Sequence, residues 1–294
     1  MRAVLPIAAI MALLTAGFQL APDSSSHPAT QAAYVGFDRN DYPGDANLKT
    51  LHQAFSYSGY WLNTPPGAKT NSWTGKRKII EAAGYGFLVL FNGRTYAEIK
   101  SSAVGAARLG RSDADAAVRA ARAEGFPLQT IIFLDQEQGG RLLREQRVYL
   151  HAWVDGVNSA QFAAGVYCSG IAGRESAGVS VVTAEDIQQN AGGRKIKYWV
   201  VNDSCPPSPG CTISRNNLSP GSSGISFAEV WQFAQSPKRA DFARGCPTNN
   251  SANYNKDGNC YAPGMAPSVD PTQRLHLDLD VATSSDPSHG RSRD

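Results

Sequence analysis

Charge is scarce in this 294-residue chain: Asp, Glu, Lys and Arg make up 18% of it, and 28 basic against 25 acidic residues leave a formal charge of only +3. Soluble domains average about a quarter charged, so this balance calls for no polyelectrolyte partner, and no basic patch marks a nucleic-acid binder. Long apolar runs are scarce too. The run Ala3 to Ala16, broken by Pro6, follows Arg2 and gives way to polar residues at 23–27. It falls short of the roughly 20 residues that a bilayer-spanning helix needs, so it reads as an export signal. Residues 1–21 are therefore expected to be a signal peptide and 22–32 a flexible linker. A secreted or periplasmic monomer with no membrane span after signal removal follows.

Motifs for several cofactor classes are also missing. Neither CxxC nor HExxH spacing occurs, and no glycine-rich phosphate loop is present, so no metal centre, cofactor or nucleotide chemistry is expected. Cysteine is limited to five residues. Four of them, Cys205, Cys211, Cys246 and Cys260, fall in segments rich in Pro, Gly, Asn and Ser, where disulfides replace missing secondary structure in an exported protein. Local pairs Cys205–Cys211 and Cys246–Cys260 are the economical choice among three pairings. Cys168, inside the apolar run Phe162–Tyr167, reads as a buried inert thiol.

What is present is enough apolar material for a large core, 42% of the chain. Apolar runs bounded by turn residues give eight candidate strands: Tyr34–Asp38, Tyr57–Asn63, Gly86–Asn92, Thr130–Glu137, Phe162–Ser169, Tyr198–Asp203, Glu229–Ala234 and Leu275–Ala282. Helical patterns alternate with them at Asp45–Phe55, Thr74–Ala83, Asp113–Glu124 (capped by Ser112), Arg141–Asp155 and Thr183–Asn190. Runs such as FLVLF and TIIFL are apolar without alternation, as in a parallel sheet covered on both faces. The count and length fit a single-domain α/β protein, a (β/α)8 TIM-type barrel over 33–283, with disulfide-stapled loops in its last third and a disordered tail at 284–294.

Three of these strands finish in carboxylates: Asp38 on the first, Asp135 and Glu137 on the fourth, Asp278 and Asp280 on the eighth. In such a barrel the C-terminal strand ends converge on one mouth. Asp135 and Glu137 share a side, with Cα atoms about 6–7 Å apart. Crowded carboxyls resist joint ionisation, so one keeps a proton that it can donate while another stays negative, the combination that hydrolysis of a glycosidic bond requires. Glu137, with the longer reach, is the expected acid, and Asp135 or Asp278 its negative partner. The alternative is that these acids only cap helices or pair with Arg39, Arg94 or Arg141. Tyr42, Tyr60, Trp61, Tyr198, Trp199 and Trp231 lie near strand ends, where rings could stack on sugars, with Asn202 and Gln232 to bond hydroxyls.

Taken together, Gly36-Phe37-Asp38 with Tyr42-Pro43-Gly44, Leu134-Asp135-Gln136-Glu137, Gly165 to Ser169, Val230 to Phe233 and Leu277 to Val281 resemble, in this order, motifs of glycoside hydrolase family 25, the lysozyme-type muramidases. Trp61 to Pro66 and Phe91 to Arg94 are more similar to the related glycoside-hydrolase-like domain, family 1906 of unknown function. The resemblance spans about Tyr34 to Ala282. It implies that Asp38, Asp135, Glu137 and Asp278 form the catalytic set, with Glu137 as proton donor. Tyr42, Trp61, Tyr167, Asn202, Trp231, Gln232 and Asp280 are the expected substrate-binding residues. Pro43 stands where muramidases usually carry Gln, and Asp280 where they usually carry Asn.

The expected activity is hydrolysis of peptidoglycan or a related cell-wall polysaccharide. A catalytically inactive barrel that binds wall glycan is the alternative. A third reading treats the acids as a divalent-cation site for ester hydrolysis.

Overall fold

The run Ile131–Asp135 is buried at every position, as are Tyr57–Trp61 and Val230–Ala234. A strand can lose both faces to solvent only inside a layered fold, and the computed structural model, which describes residues 33–203, 219–235, 275 and 277–292, supplies the layers. Chain order is β1 (Tyr34–Asp38), α1 (Asp45–His52), β2 (Tyr57–Trp61), α2 (Arg77–Ala82), β3 (Gly86–Asn92), α3 (Tyr96–Ile99), α4 (Ala103–Glu124), β4 (Ile131–Asp135), α5 (Arg144–Ser159) and β5 (Ala163–Ser169). Then come β6 (Ala172–Ser176), β7 (Val179–Val182), α6 (Thr183–Gln189), β8 (Lys197–Val201), a short 3-10 turn (Pro220–Ser223), β9 (Val230–Ala234) and β10 (Asp278–Ala282).

Eight of these strands close into a barrel in the order β1-β10-β9-β8-β5-β4-β3-β2, so the chain is mixed α/β with a barrel of the TIM type. All eight strands expected from the sequence are the barrel strands, within a few residues at their ends. The uniform parallel arrangement is corrected. Neighbours from β1 to β9 run parallel, but β10 is antiparallel to both β9 and β1. Among the described residues no α-helix follows α6, so the regular strand and helix alternation holds for the first part of the barrel only.

Two further differences are local. Helix α4 begins at Ala103, where the Ser102 side chain accepts from Gly105 N, so Ser112 is an interior residue and not a cap. The alanine-rich stretch from Ala103 has the propensity to extend the helix back to the better cap. Between β5 and α6 the chain makes an unforeseen hairpin, β6–β7, which turns at Gly178 with φ 77°. Its exposure on both faces leaves no strong apolar period to read.

The expected disordered tail is ordered through Ser292. Antiparallel β10 delivers the chain to the end of the barrel away from the mouth, where the register Val89↔Ile132 leaves the start of β3 without β4 beside it. Residues 286–288 fill that stagger: Phe87 N donates to Asp286 Oδ1, Val89 N to Ser288 Oγ and Ile131 N to the Ser288 carbonyl, each at 2.8 Å. Backbone groups in a buried strand have to be paired somewhere, and this segment pairs them. The proposed partners Cys205, Cys211, Cys246 and Cys260 lie outside the described residues. Cys168 is free and buried in β5, and burial pushes its thiol up from the usual range.

Candidate functional site

Asp38 ends β1, and the antiparallel register sets it against Asp278, the first residue of β10. The sequence reading placed Asp278 and Asp280 at the finish of a parallel strand. In the structure Asp278 opens a reversed strand, and the reversal is what brings it to the mouth. Asp280, two residues on, lies opposite Gly36 on one side and Gln232 on the other. Gly36 and Gly59 make room for this cluster. A Cβ at Gly36 would sit 2.1 Å from the Tyr57 ring, and one at Gly59 2.8 Å from Asp38 Cβ, so no other residue lets the strands and the acid approach so closely.

Below the rim the polar groups form one chain. Gln235 Nε2 donates to Tyr167 Oη (3.2 Å), the Tyr167 hydroxyl to Gln232 Oε1 (2.7 Å), and Gln232 Nε2 to Asp38 Oδ1 (2.8 Å). Trp199 Nε1 donates to Asp280 Oδ1 at 2.9 Å. Tyr57 presents a buried hydroxyl without a hydrogen-bond partner beside Asp280 and Asp38.

Asp135 ends β4 between Asn92 and Tyr167. It is 8% exposed, and its Oδ1 has no hydrogen-bond partner. The strand stops there. Gln136 turns inward, its N–H bonded to the Tyr167 carbonyl (3.0 Å), and Glu137 is exposed in the loop. The expected two-residue strand period between Asp135 and Glu137 is therefore not kept. Glu137 instead lines an open cleft of about 490 Å³ with Tyr167, Ser169, Arg174, Glu175 and Gln235. Sequence reasoning missed Ser169, Arg174 and Gln235. Gln235, three residues beyond Gln232, was within reach of a strand-end argument, whereas Arg174 belongs to the unforeseen hairpin.

Burial dominates the electrostatics of Asp38, Asp135 and Asp280 at this mouth. Burial pushes Asp38 up to about 6, against the hydrogen bonds from Gln232 and Asp280 that lower it. Burial, then the charges of Glu137 and Asp38, hold Asp135 well above the usual carboxylate range. Asp280 is raised in the same direction by burial and by Asp38. Burial raises the Tyr167 phenol, and Asp135, Asp38, Asp278 and Glu137 all add to the rise. All four expected catalytic acids are thus within electrostatic reach of one hydroxyl. Arg94 and Arg141 pair elsewhere, with Asp113 and with Glu175 and Asp186. Arg39 stands near Asp41 and Asp278, and burial lowers its pKa.

The aromatic expectation is corrected. Trp61 is 3% exposed and donates to the Arg39 carbonyl, and Trp231 is 1% exposed and donates to the Asn202 carbonyl. Tyr60, Tyr198 and Trp199 are buried as well. Trp61, Tyr60, Trp199 and Trp231 pack the barrel core, and Tyr198 packs edge-on to Phe227 beside a second cleft away from the acids. Only Trp61 ends its strand; Trp199 lies mid-strand, and Tyr198 and Trp231 stand at the entering ends of β8 and β9, where large rings fill the barrel. Asn202 donates its side-chain amide to the Ser223 carbonyl and so anchors the 3-10 turn. Tyr42 remains half-buried, edge-on to Trp73 with Lys76 Nζ 4.9 Å from its ring centroid. Among the described residues no group of three or more His, Cys, Asp or Glu could hold a metal ion.

A closed α/β barrel with acids gathered at one mouth is the architecture of glycoside hydrolase-like barrels, a class defined by fold before reaction. The chain belongs to the Rv2525c-like, glycoside hydrolase-like domain family, whose model matches residues 60–206. The glycoside-hydrolase-like resemblance seen in the motifs is upheld by that match. Among solved structures it is similar to an uncharacterized protein of B. stearothermophilus, with 17% identity over 85% of this chain and 95% of that one and a TM-score of 0.52. It is similar also to the Tat-secreted protein Rv2525c of Mycobacterium tuberculosis, crystallised with HEPES (13% identity, 87% and 98% covered, TM-score 0.49). The lysozyme of Streptomyces coelicolor follows (13% identity, 84% and 90% covered, TM-score 0.43). Comparison with curated proteins gives no match. No helix among the described residues is long and apolar enough to cross a membrane.

Proposed function

We propose that this protein is a secreted glycoside hydrolase that cleaves peptidoglycan or a related cell-wall polysaccharide by carboxyl acid/base chemistry. The observation that carries the reading is the gathering of Asp38, Asp135, Glu137 and Asp278 about Tyr167, beside a cleft of about 490 Å³, a volume suited to a small ligand or a sugar unit. Membership of a glycoside hydrolase-like family supports it. The export-like segment at residues 3–16 supports secretion.

Glu137 is assigned proton transfer because, of the four acids, it lines the cleft. Its proton passes to the departing glycosidic oxygen as the bond to the anomeric carbon breaks. Asp278, half-buried at the mouth, supplies negative charge to the developing sugar cation. Water then delivers its hydroxyl to the sugar and its proton to the Glu137 carboxylate, which restores the acid. The test is Glu137→Gln on purified wall fractions, scored by new reducing ends. Wild type should release them and the variant should not; equal turnover in the two overturns the assignment.

A second reading, a barrel that holds wall glycan without cutting it, is favoured by the burial of Asp38 and Asp135, at 6% and 8% exposure. Under it no reducing ends appear from any wall fraction, and Glu137→Gln binds as wild type does.

A further inference from the structure

The end of the barrel away from the acids carries a second cleft, of about 1040 Å³, larger than the one beside Glu137. It opens where strands begin: Phe162 precedes β5, Lys197 and Tyr198 enter β8, and Glu229 precedes β9. These strands run parallel with β4, which ends at Asp135, so this basal cleft and the mouth lie at opposite ends. Charge separates the two. The mouth cleft is lined by Glu137 and Glu175 against Arg174, the basal cleft by Arg194, Lys195 and Lys197 against Glu229.

Two of those cations are already engaged. Arg194 directs Nε and Nη2 to Asp155 and Nη1 to the Ala191 carbonyl, and Lys197 pairs with Glu229. Lys195 is exposed and has no side-chain partner among the described residues, so its ammonium is free to meet an anion. The turn before it adds backbone donors. Arg194 N closes on the Ala191 carbonyl (3.2 Å) across Gly192 and Gly193, at φ 60° and 78°, a conformation glycine adopts without strain. Both glycines are exposed, and their N–H groups donate to no described residue.

The rest of the lining suits hydroxyls and C–H surfaces. Gln188 and Gln189, exposed at the end of α6, carry amides that both donate and accept. Phe227, half-buried and edge-on to Tyr198 (centroids 4.8 Å apart), gives an apolar wall. Amides for hydroxyls, a ring for a sugar's apolar face and a free cation for an acidic substituent together fit an acidic saccharide. We propose that the basal cleft is a second binding site, which holds an acidic strand of wall glycan without cutting it. Its one carboxylate, Glu229, is paired with Lys197, whereas glycoside hydrolysis takes two carboxyl groups. The choice of a wall glycan rests on the reading of the mouth; the charge and the donors of the basal cleft do not.

The test is hydrogen exchange read by mass spectrometry on full-length Glu137→Gln, which leaves the ligand whole, with and without peptide-free wall glycan strands. Slowed exchange is expected in two separate regions, residues 188–198 at the base and 135–141 at the mouth. Adding Lys195→Glu and Gln188→Ala, both at exposed positions, should raise the strand concentration that half-protects the base at least fivefold. Converting the carboxyl groups of the strands to amides should do the same. Protection at the mouth alone, or basal protection that neither change weakens, overturns the proposal and leaves the glycosidase reading standing. Equal basal protection by native and amidated strands overturns the acidic assignment. Basal protection with none at the mouth upholds the proposal and defeats the glycosidase reading, and protection at neither defeats both.

Discussion

The layer where α3, α4 and α5 meet and the mouth of the barrel both bury aspartate, but they treat it in opposite ways. Asp113, on α4, receives a two-pronged contact from Arg94 (Nε at 2.6 Å, Nη2 at 2.8 Å) and a third bond from the Tyr149 hydroxyl at 2.8 Å. Asp135 and Asp280, buried as deeply, each leave an oxygen without an ordinary partner, and among the described residues no cation pairs with them. A compensated carboxylate reads as structure. An uncompensated cluster costs stability, and such costs persist where a site has work to do.

The sharpest way to separate the two regions is Glu137→Gln, expected to lower wall hydrolysis by about 10²–10⁴-fold while thermal unfolding stays where it was, since the side chain is exposed. Asp113→Ala should do the reverse. It leaves the Arg94 guanidinium and the Tyr149 hydroxyl without their acceptor and costs about 3–4 kcal/mol in urea unfolding, with activity per folded molecule unchanged.

The mouth should also make stability fall toward higher pH. Asp38 binds its proton more tightly folded, at about 6, than unfolded, near the ordinary 3.8. Protons are therefore released on unfolding, and about 3 kcal/mol present below pH 4 is lost as the pH rises through about 6. Asp135 and Asp280 act in the same direction. Urea titrations between pH 4 and 8 check the slope, and a flat profile would erase the contrast with Asp113. Asp135→Asn should stabilise the protein by about 1–2 kcal/mol at pH 8 and by less at pH 5, because an amide carries no charge to desolvate.

The smallest effect belongs to Arg194→Ala. Arg194 grips Asp155 with the same two-pronged geometry as the Arg94 pair (2.8 and 2.9 Å), yet Asp155 is 54% exposed. A loss below about 1 kcal/mol is expected. A loss as large as that of Asp113→Ala would show that the geometry of the pair, and not its burial, sets the scale.

Strand positions were legible because burial on both faces leaves a mark on composition: runs such as Ile131–Leu134 need no partner to be recognised. The direction of β10 was not, because Leu279 and Val281 pack a barrel equally well whichever way the strand runs. The same limit governed the aromatics. Trp61 ends β2 as expected and Trp231 opens β9, but a ring that stacks on a ligand and one that fills a core have the same sequence signature. Arg174 and the order at Ser288 depended on a hairpin and on a sheet stagger, neither of which has a local period.

Local sequence, then, determined eight strands, most of the helices, the acidic residue types and the family motifs, since each depends on near neighbours in the chain. Tertiary structure alone decided that Asp278 reaches the mouth by strand reversal, that Glu137 faces the cleft while Asp135 does not, and that Gln232 donates to Asp38. Those outcomes turn on desolvation and on which donors surround an oxygen, quantities set by residues as far apart as Asp38 and Gln232 in sequence and 2.8 Å apart in the fold.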